Sequence, residues 1–458
     1  MIVRKIELKI EFYKLFNFVK KYSYPFLLDS GDIYKQSGKF SFIGFNPMLL
    51  FKAKNNKIEI TGKKKSSIYK SLNSIDAFQK IFDKYERKYN DRFPFSGGFV
   101  GFLSYDLCRK IEKIPCIAAD DKKIPDICFG LYDGIFVYDH KKRETYIAAH
   151  GITMPADNII NDLMRIAKKA SESGLEDNLS KNTKNNKKFK SGLSKKKYLQ
   201  KIDKLKKHIK NGDVFEVNLT QRFETKFSAD PWMLYQKLRY INPAPFSSYL
   251  DYGDFQIISS SPERFIKVQK NKIETKPVKG TISRGSGIKT DRDNRKKLLK
   301  SEKDRAELIM AVDVARNDLG RISEIGTVKV KKLAALEKYP TLYHLVSTVT
   351  GRLRNGIRFS DIIKATFPGA SITGAPKIRA MEIIDETEPV RRNIYTGSIG
   401  YIGLNGNIDL NIAIRTIIVK KNKSFFQVGG AVVWDSDSLS EYKEIMLKGK
   451  AMFEALRG

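Results

Sequence analysis

Cysteine is scarce in this 458-residue chain, which has three. Cys108, Cys116 and Cys128 are too few, and odd in number, for a disulfide framework, and no Cys-x-x-Cys or Cys/His spacing points to zinc. Long apolar runs are also missing. Nothing approaches the ~18 uncharged apolar residues of a membrane span, and charges recur from Met1 to Phe18 where a signal peptide would be apolar. Together these absences predict a cytoplasmic protein, neither secreted nor membrane-bound. Acidic residues are few beside basic ones: 51 Asp and Glu against 85 Lys and Arg leave a net charge of +34. Such a surplus raises nucleic acid as a partner. Its distribution argues otherwise, because thirteen lysines and one acid, Asp203, crowd between Lys181 and Lys210, and the rest is thinly spread. A solvated lysine-rich surface is expected, with no nucleic-acid partner and no membrane.

What is present is enough apolar residue, 41%, for a large core. Residues 1 to 150 read as mostly strands, with short β-type runs at 26–31, 40–44 and 57–62 ended by glycine. Pro155 and Asp157 open a helix carrying Ile159, Ile160, Leu163, Met164 and Ala167 at helical spacing. From 171 to 197 the chain is mainly Ser, Asn, Lys and Glu with isolated Leu175, Leu179, Phe189 and Leu193, a composition that predicts a linker between an N-terminal region, 1–170, and a region 198–458. A helix capped near Ser194 follows, with Tyr198, Ile202, Leu205 and Ile209 on one face and Asn211-Gly212 at its end. Phe215, Val217 and Leu219 then alternate with Glu216, Asn218 and Thr220, and 408–415 repeats that alternation after an Asn405-Gly406 turn. Both strands present a polar face, as a sheet lining a hydrophilic pocket would.

Two helices carry carboxylates at i, i+3. Ser301 is placed to cap a helix bearing Asp304 and Glu307, and Glu441 and Glu444 repeat the spacing with Lys448 four residues on. Facing carboxylate pairs suit a hard divalent cation such as magnesium, although a single such pair more often coats a surface. Gly369 to Pro376 lacks the lysine and Ser/Thr of a phosphate loop, so ATP chemistry is not implied. His344 is a lone histidine, ordinarily structural, after a loop broken by Pro340. Lys279 ends a strand-like run at Gly280-Thr281. A lysine becomes a nucleophile only if the site lowers its pKa or a base takes its proton.

In order, the blocks Gly97 to Asp106, Asn211 to Phe223, Ser261 to Phe265, Asp313 to Arg321 and Tyr395 to Tyr401 resemble the chorismate-utilising enzymes over about residues 23 to 456. The resemblance implies an α+β fold, a large antiparallel β-sandwich flanked by helices with the active site in the cleft between its sheets. Glu216 stands where members that add water to the ring have a lysine, and Lys279 stands in a Pro-x-Lys-Gly-Thr run where anthranilate synthases have alanine. The branch resembled is therefore aminodeoxychorismate synthase component I, serving 4-aminobenzoate and folate synthesis; anthranilate synthase component I is the alternative. By the same matching Lys279 would be the nucleophile and Glu263 the general acid, with His344 near the ring. Tyr395, Arg415, Lys448, Thr373 and the N–H groups of Gly429 and Gly430 would bind substrate. Glu307 and Glu444 would ligate magnesium, with Glu441 and Asp304 through water. Chorismate is the implied substrate. No glutaminase triad is visible, so ammonia is expected from a partner glutamine amidotransferase subunit. Leu28, Asp29 and Ser30 resemble the family's tryptophan site.

Overall fold

A computed structural model describes residues 1–31, 38–62, 66–87, 89, 92–173, 187–339 and 342–457. The glycine-ended runs become the strands Phe26–Asp29, Phe40–Gly44 and Lys57–Gly62. The periodic segment after Pro155 is the helix Ala156–Glu172, with Ile160, Leu163 and Ala167 buried. A twelve-residue helix in the strand-rich start was not expected, Ser74–Tyr85. Asn73 caps it by accepting from the Asp76 N–H, and Ile75, Phe78 and Phe82 form its buried stripe.

The described strands assemble into two twelve-stranded sheets, all paired antiparallel. The first runs from Ile2–Ile6 at one edge, through Phe26–Asp29, to Phe246–Asp251 and on to Lys190–Ser191. The second runs from Val278–Ser283, through Ser398–Gly403, to Gly98–Leu103 and Ser66–Lys70. Each sheet therefore draws strands from both sides of the expected linker. Regions 1–170 and 198–458 are two contributors to one body: Phe78 packs edge-on to Phe359, with centroids 5.4 Å apart, and Phe95 stacks on Tyr401.

The segment 171–197, expected as a linker, carries regular structure at both of its ends. Residues 174–186, including Leu175 and Leu179, lie outside the described residues, as does Pro340. On the near side, Lys190–Ser191 pairs with Phe223 and Glu224, Leu193 is buried, and Phe189 packs on Phe453. Composition hid this because a two-residue strand takes its hydrogen bonds from a distant partner.

The residues of interest sit on α1 (Lys195–Lys210), β1 (Glu216–Lys226), β2 (Val278–Ser283), α2 (Glu302–Gly320), β3 (Leu342–Arg352), α3 (Lys377–Thr387), β4 (Lys423–Val432) and α4 (Ser438–Arg457). Ser194 caps α1 through the Lys197 N–H, and Gly212 follows its end at φ +80°. Val217 and Leu219 of β1 are buried, but Phe215 precedes the strand and is 72% exposed, not part of the apolar face. The strand expected over 408–415 stops at Asn411, because the chain there leaves one sheet for the other. No described helix is long and apolar enough to cross a membrane.

Candidate active site

Two of the passages between sheets carry expected site residues. Pro262-Glu263 joins Phe255–Ser261 of the first sheet to Arg264–Gln269 of the second, and Arg415 ends the link from Ile408–Asn411 to Thr416–Lys420 at φ +51°. Glu263 is 5% exposed; its Oε1 accepts from Ser371 Oγ at 2.6 Å and from the Val278 N–H at 3.3 Å. Burial nevertheless dominates and pushes its carboxyl up to about 7, against those two hydrogen bonds and the charges of Lys279 and Arg415. A carboxyl so placed holds a proton near neutrality, as a general acid must.

The shift has a stability signature. Because the folded pKa is raised, the contribution is full below about 4.5 and is lost as pH rises through about 7. Glu263→Gln is permanently neutral, so relative to the parent it should gain up to about 3 kcal/mol between pH 5 and pH 9. Thermal unfolding at both pH values checks this; an unchanged difference would mean that Glu263 titrates normally.

Lys279 lies on β2 at a bulge. The pairing with β3 shifts register between Lys279 and Thr281, and Gly280 takes φ +72°. A Cβ at Gly280 would stand 2.9 Å from Asp304 Cγ, so the position needs glycine on both counts. The Lys279 Nζ donates to Glu216 Oε1 of β1 at 2.8 Å and lies 3.6 Å from Glu307 Oε2 of α2. This ion pair spans the gap between the two sheets. Burial alone would lower the Lys279 pKa, but Glu216 and Glu307 outweigh it and hold the ammonium above the ordinary range. Of the two routes to a reactive amine, a lowered pKa is thus not what the fold provides; a carboxylate within reach of the proton is.

His344 on β3 is buried, with Nδ1 2.7 Å from Thr281 Oγ1. Burial first, then the charge of Arg415, depresses it to about 3, so the imidazole is neutral. Tyr395 is buried, and its phenol is raised by burial. Thr373 is fully enclosed with its hydroxyl donating to Gly369 O, so the fold already uses that hydroxyl. Gly429 and Gly430 on β4 pair with Thr220 and Leu219. A Cβ at Gly430 would lie 3.6 Å from Glu441 Oε2 and 3.9 Å from Lys448 Nζ, which shows how closely α4 crosses this backbone.

The four candidate metal ligands are split between α2 and α4. Ser301 caps α2 through the Asp304 N–H. Lys303 bridges the helices, 2.7 Å from Glu441 Oε1 and 3.9 Å from Glu307 Oε1. Glu441 also accepts from Ser436 Oγ, and Glu444 pairs with Lys448 at 2.8 Å. Burial raises Glu307, whereas at Glu444 burial is outweighed by Lys448, Lys303 and Lys279 together, which lower it. Among the described residues no three His, Cys, Asp or Glu side chains are close enough to hold a metal ion as they stand. The donor chemistry does fit a hard cation: every candidate is a carboxylate, and an ammonium already sits between two of them.

The sequence reading missed a buried network beneath the site. Arg392, 2% exposed, pairs with Glu388 at 2.7 Å and donates to Ile372 O and Asn218 O. Glu388 in turn accepts the Thr220 N–H. The i, i+4 spacing of Glu388 and Arg392 was the available signal. Apart from the site, a cavity of about 880 Å³ opens beside Leu28, Asp29 and Ser30, with Phe40, Phe246 and Arg264 also in its wall. Asp29 itself turns to Arg239 at 2.6 Å and to Tyr235 OH at 3.0 Å.

A family model described as chorismate binding enzyme matches residues 25–454. Aminodeoxychorismate synthase component 1 of Bacillus subtilis is 39% identical over 425 residues, covering 92% of this chain and 90% of that protein. Anthranilate synthase component 1 of Acetivibrio thermocellus is 36% identical over 453 residues, covering 96% and 92% respectively. The crystal structure of anthranilate synthase component I from Streptococcus pneumoniae superimposes with a TM-score of 0.80 at 32% identity, covering 91% of this chain and 92% of that one.

Proposed function

The chain belongs to the chorismate-binding enzyme family, and from that premise we propose that it converts chorismate and ammonia to 4-amino-4-deoxychorismate, as an aminodeoxychorismate synthase component I. The observation that carries the reading is a buried amine, Lys279, between two sheets, with the proton-holding Glu263 near enough for each to act on the other's charge. Anthranilate synthase is the second reading, favoured by a relative of nearly equal identity.

The chemistry runs in two displacements. Lys279 passes one proton to the Glu216 carboxylate and attacks C2 of the ring; the double bonds shift and the C4 hydroxyl leaves as water with the proton from Glu263. Ammonia then bonds to C4, the double bonds shift back, and the C2–Nζ bond breaks with its electron pair returning to Nζ, which takes its proton back from Glu216. The proton shed by the new amine restores Glu263. Covalent capture replaces one difficult substitution by two easier ones. Arg415 and Tyr395 bind substrate carboxylate, Arg415 as a forked donor, with Lys448 and the Gly429 and Gly430 backbone at the α4 side. Neutral His344 offers a hydrogen bond without competing for a proton. Glu307 and Glu444 would hold a magnesium ion, with Glu441 and Asp304 through water; the ion would supply Lewis-acid charge to the ring carboxylate.

Ammonia comes from a glutamine amidotransferase partner, a reading supported by the component 1 names of the relatives. Tryptophan would lodge in the cavity beside Leu28, Asp29 and Ser30. The product serves 4-aminobenzoate and folate synthesis. Incubation of the purified chain with chorismate, magnesium and ammonium, followed by mass spectrometry, should show a product that keeps its pyruvyl ether, and glutamine alone should give none. Anthranilate with stoichiometric pyruvate would replace this reading by the second.

A further inference from the structure

We propose that Arg392 is a positioning residue of this site, whose single guanidinium holds the turn behind the general acid Glu263 and the turn behind Tyr395 against β1; the proposal rests on the roles given to Glu263 and Tyr395 above. Its donors end on three separate segments. Nη1 donates to Ile372 O at 2.9 Å and to Thr396 Oγ1 at 3.4 Å, and Nη2 donates to Asn218 O of β1 at 3.0 Å. Ile372 follows Ser371, whose hydroxyl donates to Glu263 Oε1 at 2.6 Å, and Thr396 follows Tyr395. Glu388 sets the direction of the fork by accepting from Nε at 2.9 Å and from Nη2 at 2.7 Å. The Tyr105 ring covers the guanidinium, 4.7 Å from its carbon.

Stability is a poor reason for such a pair. Arg392 and Glu388 are both buried, and a buried ion pair often adds no more to stability than apolar residues of the same size would. What apolar residues cannot supply is several donors held at fixed angles in one plane. Two of the segments need that hold. Ile372 belongs to the single 3₁₀ turn Ala370–Ile372, and Thr396 takes φ +60°, a strained conformation for a β-branched residue that surrounding contacts must maintain. The consequence reaches Glu263. The Ser371 hydrogen bond favours its ionised form, as do the Val278 N–H and the charges of Lys279 and Arg415, all against burial. A looser 370–372 turn would weaken the Ser371 bond and let the carboxyl titrate higher, while its proton and the ring lose their alignment.

The test is the pH dependence of kcat/KM for chorismate, measured on the full chain with magnesium and ammonium. This parameter follows ionisation in the free enzyme, so the parent profile should fall above about 7, where Glu263 loses its proton. Arg392→Lys keeps a charge beside Glu388 but replaces the fork with a point. It should lower kcat/KM about tenfold or more at about pH 6 and move the alkaline limb up by about half a pH unit or more. Loss of folded protein would lower the profile at every pH and move no limb. In a Ser371→Ala background, where the bond to Glu263 is already absent, Arg392→Lys should move the limb no further. Should Arg392→Lys not fold, Glu388→Asp, which keeps the pair but shifts the fork, should show the same upward movement. A limb that stays in place in the folded variant, or one that moves equally with and without the Ser371 hydroxyl, would overturn the proposal and leave Arg392 as a support of the fold. A parent profile with no limb near 7 would instead remove Glu263 as the general acid, and the proposed mechanism and this inference with it.

Discussion

Lys279→Ala is expected to lower aminodeoxychorismate formation by about a hundredfold or more, a loss of about 3 kcal/mol or more of transition-state stabilisation. The same variant should fail to form a covalent adduct. With chorismate and magnesium but no ammonia, acid-quenched parent protein should carry a ring adduct that peptide mapping places on Lys279. The reason lies in the bulge at Gly280, which places this amine between Glu216 and Glu307 in the gap between the sheets. Folding should also weaken. Removing the lysine leaves Glu216 and Glu307 buried near each other without their shared cation, so a destabilisation of about 3–5 kcal/mol at neutral pH is expected. Activity measured beside thermal unfolding separates the two effects. Full turnover by Lys279→Ala, or anthranilate as the main product of the parent, would transfer the chain to the anthranilate reading.

Much of this was legible wherever the signal is local. The Ser194 cap, the Tyr198, Ile202 and Leu205 stripe and the Gly212 stop all lie within one helix length, and α1 forms as its pattern dictates. The Ser301 cap on α2 is likewise a three-residue matter. Glu263 stood out because it sits in the block Ser261 to Phe265, and Lys279 because it stands in the run Pro277 to Thr281 where anthranilate synthases have alanine. What stayed hidden depends on pairings far apart in the chain. Glu216 marked only a branch of the family until the sheets brought it to Lys279, 63 residues away. Arg392 gathers Asn218 O and Ile372 O into one buried cluster, and no local periodicity announces that. The mixing of both regions in each sheet is of the same kind: a polar stretch looked like a boundary, but neighbouring strands such as Phe26–Asp29 and Phe246–Asp251 pair across it. Phe215 was misassigned because alternation does not tell where a strand begins, and β1 starts one residue later.

Glu307→Gln and Glu444→Gln should each abolish turnover, as should excess EDTA on the parent. Their environments explain why the loss should be so large. Glu307 is raised by burial, with Glu216 adding to the shift and Lys279 and Lys303 opposing it, so its charge is held in a crowded, half-compensated setting that a divalent cation would relieve. At Glu444 burial is opposed by Lys448, Lys303 and Lys279, which together lower it, so it is already ionised for ligation. Lys303 bridges Glu441 and Glu307, so it is the cation that magnesium would displace on the proposed reading. Binding can be read without turnover. In the presence of chorismate, magnesium at a hundred times its dissociation constant should stabilise the parent by about 2.7 kcal/mol, seen as a rise in Tm, and either Gln variant should lose most of that rise. Lys303→Met removes the competing ammonium, so its Tm should respond at lower magnesium than the parent's. Sodium chloride at matched ionic strength controls for general screening of the lysine-rich surface. If both Gln variants keep the magnesium-dependent rise and full turnover, α2 and α4 do not form the metal site and their carboxylates serve only the ion pairs with Lys303 and Lys448.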